Sequence, residues 1–119
     1  MFDYEKLIAY QKAKIVNRKI QIFVSHNKIN SILRDQLYRA STSILLNIAE
    51  GTGKLTKQDR KNFYVIARGS VFECASILEL LNDEDIISAQ NLKSTKLELE
   101  EVSRLLSGLI KNQTNNRII

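Results

Sequence analysis

Proline is absent from this 119-residue sequence and glycine occurs only four times. Without proline no helix loses an internal N–H donor, and the tight turns of an all-β fold lack the residues that make them. Long uninterrupted helices are therefore expected. Cys74 is the single cysteine, so no disulfide framework forms and an oxidising compartment is not indicated. His26 is the single histidine, which leaves a structural zinc site, a Cys/His nucleophile pair or a histidine acid–base system without enough members. Apolar runs approaching the ~18 residues of a membrane span are missing. The start, Met1-Phe2-Asp3-Tyr4-Glu5-Lys6, lacks the basic-then-apolar order of a secretion signal. A cytoplasmic protein with no membrane partner is the expectation, and the Asn112-Gln113-Thr114 sequon then carries no sugar.

What is present is length enough for one hydrophobic core and a lopsided charge distribution. A chain of this size buries a core without staples, so residues 1–119 are read as one domain. The net charge is +5, yet residues 83–101 carry six acids against two bases. Residues 1–30 carry Lys6, Lys12, Lys14, Arg18, Lys19 and Lys28 against Asp3 and Glu5. Such a surface either keeps a helical protein in solution or attracts polyanions, and symmetric assembly would multiply its field.

Four helices follow from the periodicity, at about 3–24, 31–50, 57–82 and 89–111, and short connections make them an antiparallel up-and-down four-helix bundle, an all-α fold. In the first, Ile8, Ile15 and Ile22 form one row and Ala9, Val16 and Phe23 another, widened by Ala13 and Ile20. That arc is broader than one seam needs, so the helix is expected to meet neighbours on two sides. Glu5, Lys12, Lys19 and His26 lie between the rows, with aliphatic stems able to pack while their heads reach water. Asn30 or Ser31 caps the second helix, whose core stripe is Leu33, Leu37, Ala40, Ile44 and Ile48. Gly51-Thr52-Gly53 is read as its end, closed by a left-handed glycine. Thr56-Lys57-Gln58-Asp59 has capping-box order, and the third helix is expected to bury Phe63, Ile66, Ala67, Ser70, Cys74, Ile77, Leu78 and Leu81. Tyr38, Leu45, Val65 and Phe72 fall on outer faces and suggest a docking surface. Ser88 caps a fourth helix carrying Leu92, Leu99, Val102, Leu105, Leu106, Leu109 and Ile110, and the tail from Asn112 is expected to fray.

The chemistry these residues offer is sparse. Gly53-Lys54 lacks the earlier glycine of a phosphate loop, because Ile48 stands there, and the following hydroxyl, because Leu55 stands there. Seven residues separate Arg18 from His26, which does not fit a helical ribonuclease of Arg-x4-6-His type. Neither a cofactor nor a metal is implied. The informative feature is a polar stripe beside the core of the second helix, Gln36, Ser43 and Asn47 with Arg39 and Glu50 at its edges, facing Arg68 and Glu73 of the third. Partly buried polar groups need partners, so a structural network across helices is expected; lining a ligand or partner groove is the alternative, and Glu50 with Glu73 as paired carboxylates of an enzyme is a weaker one.

Gln36-x-x-Arg39-Ala40-x-x-Ser43-Ile44-x-x-Asn47-Ile48-Ala49-Glu50-Gly51 together with Phe63-x-x-x-Ala67-Arg68-Gly69-Ser70-x-x-Glu73 resembles the four-helix-bundle proteins called 23S rRNA intervening-sequence proteins. Phe2 to Leu7 and Tyr10-Gln11-Lys12-Ala13 match as well, with tyrosine where that family usually has tryptophan, while the last helix matches only in its leucine pattern. Members are encoded within inserts of bacterial 23S rRNA genes or free-standing, and some have been called ribosomal proteins. Accessory proteins of diversity-generating retroelements look similar, and there the bundle forms a basic homopentameric barrel that binds nucleic acid and a reverse transcriptase. The resemblance thus implies a non-enzymatic homo-oligomer, a pentamer, with Lys12, Lys14, Arg18 and Lys19 toward RNA or DNA. Ile8, Ile15, Ile22, Tyr38, Leu45, Val65 and Phe72 are the interface candidates. The alternative is an interaction scaffold that docks a protein partner and touches no nucleic acid.

Overall fold

The computed structural model describes residues 1–114. A 3-10 turn, Asp3–Lys6, precedes four helices: α1 (Ile8–His26), α2 (Ser31–Thr52), α3 (Lys57–Asp83) and α4 (Ala89–Thr114). They form an antiparallel bundle with α2 beside α3, α3 beside α4, and α1 closing the square against α2 and α4. Its extents are 52 × 22 × 22 Å, two helices wide and somewhat longer than its longest helix, whose 27 residues span about 40 Å. No helix among the described residues is long and apolar enough to cross a membrane.

Side-chain caps mark three of the helix starts. Asn30 Oδ1 accepts from the Leu33 N–H at 2.9 Å, Thr56 Oγ1 from Asp59 at 3.1 Å and Ser88 Oγ from Asn91 at 3.1 Å. Each satisfies a donor that the helix itself leaves unpaired. The first helix departs from expectation, because regular α-helix begins at Ile8 and not near Asp3. Glu5 folds back onto the Phe2 N–H at 2.7 Å, tightening Asp3–Lys6 into a 3-10 turn, and Leu7 is extended before α1 starts. The left-handed closure of α2 is also corrected. Gly51 lies inside the helix, Gly53 is right-handed at φ −80°, and Asp85 alone among the described residues has positive φ. Gly51 serves close approach instead: a Cβ there would stand 2.8 Å from Phe63 Cβ and 3.3 Å from the Arg60 carbonyl oxygen. Across the connection it opens, Arg60 donates to the Lys54 and Leu55 carbonyls at 2.9 and 3.0 Å.

The core runs the length of the bundle and includes Val16, Ile20, Leu37, Ile44, Ile48, Val71, Leu78, Leu81, Leu99, Val102 and Leu106. On α3 two residues exchange roles with the expected stripe, since Tyr64 and Val71 are buried while Ile66 is exposed and Phe63 only half-buried. The Tyr64 hydroxyl meets Thr52 Oγ1 at 2.9 Å, which lets a polar ring end enter the core. Fraying from Asn112 is not seen as far as Thr114, for Asn112–Thr114 continue α4 and Gln113 accepts from Arg60 at 2.9 Å; the rest of the expected tail lies outside the described residues.

Candidate functional site

The polar character of α1 separates by face. Its buried face consists of Ala9, Ala13, Val16 and Ile20, small enough to let the helix approach the bundle closely. Toward α2, Asn17 Nδ2 and Gln21 Nε2 both donate to the buried Ser41 hydroxyl at 2.9 Å, a junction the sequence reading missed. Toward α4, Lys12 meets Glu101 at 3.2 Å and Lys19 meets Glu98 at 2.5 Å. The acidic segment therefore neutralises two of the four candidate phosphate contacts within the chain. Lys14 and Arg18 are exposed and have no ion-pair partner among the described residues. Between the Lys12/Lys19 flank and the Gln11/Arg18 flank stand Ile8, Ile15 and Ile22, 58%, 60% and 51% exposed. Three large aliphatic side chains in one line, each half in water, form an apolar ridge that nothing among the described residues covers.

The residues of the sequence motif gather between α2 and α3, with a smaller network than expected. Ser70 Oγ donates to Ser43 Oγ at 2.9 Å, and Asn47 Nδ2 reaches the Ser43 carbonyl at 2.8 Å and its hydroxyl at 2.9 Å. Gln36, Arg39, Glu50 and Glu73 are exposed and do not bond across the helices. Gln36, Arg39, Ser43, Ser70 and Glu73 instead line an open groove of about 360 Å³. Arg68 leaves the set altogether: it turns to α4, donating to Ser107 at 3.1 Å and stacking on the Phe72 ring at 4.7 Å. Glu50 lines a separate groove beside Phe2, Tyr4 and Lys54, so it and Glu73 do not form a carboxylate pair. Among the described residues no cluster of three His, Cys, Asp or Glu side chains is placed to hold a metal.

The remaining interface candidates are scattered. Val65 and Phe72 border grooves shared with α4, and Tyr38, exposed, lies three residues from Ser41 on the α1 side of α2. Leu45 is half-buried against the core, and Leu46 is the exposed leucine of that turn. Sequence reasoning also missed the exposed Ile32 and Leu46, in line with Arg39 on α2, and Ile66 and Leu80, in line with Glu73 on α3; their spacing of fourteen within each helix was the available signal. Cys74 is buried on α3, and desolvation, with the nearby Glu73 charge adding to it, pushes its thiol up to about 12. That places it among inert core cysteines and not reactive thiolates.

Comparison with known proteins agrees with this geometry. No curated protein sequence matches the chain. A solved structure of a protein of unknown function from the S23 ribosomal protein family of Bacteroides thetaiotaomicron has a TM-score of 0.81 to this one at 25% identity, covering 87% of this chain and 99% of that one. The family model for the 23S rRNA-intervening sequence protein matches residues 5–108, which include α1, α2, α3 and the motif groove. The chain therefore belongs to the 23S rRNA-intervening sequence protein family.

Proposed function

We propose that the protein is a non-enzymatic homo-oligomer, five-fold by its resemblance to the retroelement accessory proteins, that binds RNA or DNA phosphates through α1. The observation that carries the reading is the exposed isoleucine ridge flanked by Lys14 and Arg18, both exposed and unpaired among the described residues. Burying the ridge against copies of the same chain brings those cations together, and the field of a ring grows with each copy. Lys12 and Lys19 contribute only by exchanging Glu101 and Glu98 for phosphate, which makes Lys14 and Arg18 the principal contacts. No base-reading motif is present, so recognition falls on backbone charge and is steep in salt and tolerant of sequence.

The test is binding of a structured RNA fragment across a salt series by wild type and by Lys14→Glu/Arg18→Glu. Each phosphate contact removed should flatten the log–log salt slope by about 0.7–0.9. The account expects weaker, shallower binding by the variant. Equal binding by both proteins, or none by either, ends the nucleic-acid reading. A second reading, a scaffold for another polypeptide, is favoured by the groove of about 410 Å³ lined by Val71, Phe72, Ala75 and Leu99 between α3 and α4. Recovery of a stoichiometric protein partner after nuclease treatment, lost on Phe72→Glu, would support that reading instead.

A further inference from the structure

The face across α2 and α3 repeats the spacing of the α1 ridge. On α2, Ile32, Arg39 and Leu46 are seven residues apart; on α3, Ile66, Glu73 and Leu80 are seven apart. Residues at that spacing share one line along a helix and are about 10.5 Å apart. Arg39 and Glu73 line the same groove, so the two lines run side by side with the charges at their middle. The aliphatic residues on either side are open to solvent, Ile32 at 69%, Leu46 at 63%, Ile66 at 50% and Leu80 at 47%. The result is a furrow greasy at both ends with one cation and one anion between, neither in an ion pair among the described residues.

We infer that the Ile8–Ile15–Ile22 ridge of one copy seats on the α2–α3 face of a second copy, an unlike, head-to-tail contact. The inference rests on the homo-oligomer reading and names its interface. Three considerations select this pairing. The ridge and both furrow walls share one repeat, so Ile8 and Ile22 meet aliphatic side chains at the two ends while Ile15 lies over Arg39 and Glu73. The ridge is bordered on one flank by Arg18, opposite in charge to Glu73, and on the other by the Lys12–Glu101 and Lys19–Glu98 pairs, which set no net charge against Arg39. The like pairings each leave one apolar surface wet: α1 on α1 abandons the furrow and sets Arg18 near its own copy, and furrow on furrow abandons the ridge. The groove beside Phe72 is a poorer seat, because Arg68 already covers that ring, Glu79 and Lys96 already pair across it, and its α4 wall exposes Glu100 and Arg104. An unlike contact repeated by rotation closes into a ring or runs on as a filament.

Complementation of two blocked proteins tests this. Ile15→Glu spoils the ridge and leaves the furrow; Ile66→Glu spoils the furrow and leaves the ridge. Both positions are at least half exposed, so the bundle should keep its fold, which helical circular dichroism verifies. The expectation is an assembling wild type, each variant alone monomeric by light scattering, a 1:1 mixture at twice the monomer mass, and Phe72→Glu assembling like wild type. If wild type assembles while the mixture stays monomeric, or while Ile66→Glu still assembles or Phe72→Glu does not, the named interface is wrong and the oligomer reading survives. If wild type is itself monomeric, both fall.

Discussion

At Gly51 a hydrogen in place of a methyl decides how closely α2 and α3 approach. A Cβ would meet Phe63 and the Arg60 backbone, and backbone cannot rotate away, so Gly51→Ala should cost about 1–3 kcal/mol in chemical denaturation despite alanine's better helix propensity. An unchanged or raised midpoint would show that the neighbouring turn gives way. Cys74 carries a second residue-scale expectation. In an unfolded chain a thiol ionises near ~8.5, whereas burial pushes this one up to about 12. A raised folded value means the contribution to stability is complete below the unfolded value, declines as pH rises above it, and is gone once the folded value is passed. Wild type should therefore lose stability more steeply than Cys74→Ala between about pH 8.5 and 10.5. Parallel curves would contradict the burial argument. Cys74 was readable as a core residue because it sits on an apolar stripe, while the close approach at Gly51 was not, because it depends on residues a dozen positions away on another helix.

Among the elements, α1 is the least deeply held. It buries two alanines, a valine and an isoleucine, whereas α3 buries eight residues including Tyr64, Leu78 and Leu81. Its attachment relies correspondingly on polar contacts, of which the exposed lysine pairs with α4 contribute little, about 0–1 kcal/mol each. The Ser41 hydroxyl is different, being 1% exposed and accepting from both Asn17 and Gln21. Ser41→Ala leaves two half-buried amides unpaired, and a loss of about 1–3 kcal/mol is expected, with hydrogen exchange quickened in α1 before α3. Uniform acceleration along the chain would argue against a separately loosened helix. The helix starts at Ser31, Lys57 and Ala89 were legible because Asn30, Thr56 and Ser88 act within three residues of themselves. The start of α1 was not, since a 3-10 turn and a helix share their apolar spacing over four residues and only the Glu5 contact to Phe2 separates them. Burial of the motif side chains was misread for a related reason: Gln36, Arg39 and Glu73 sit beside the core stripe, and periodicity alone does not tell a covered flank from an open one.

For the whole molecule, the bundle is self-sufficient in its interior and incomplete on its outside. No buried side-chain polar atom lacks a partner among the described residues, so nothing in the core calls for a ligand. Outside, two surfaces with the same seven-residue repeat remain open, the isoleucine ridge and the charged furrow. The excess apolar width of α1 was visible in the sequence from its two apolar rows, Ile8–Ile15–Ile22 and Ala9–Val16–Phe23. The surface that accepts it was not, because the furrow is split between two helices whose facing residues are 34 positions apart in the chain, as Arg39 and Glu73 are. The acidic run likewise read as a counterweight to the basic start, and folding turns part of it into direct partners for Lys12 and Lys19. Light scattering of the wild-type chain in dilute physiological buffer tests the claim that the ridge must be covered. The account predicts a mass several times 13.6 kDa, near five times by resemblance, collapsing to that value on Ile15→Glu. A wild-type mass of 13.6 kDa at every concentration tried would contradict it.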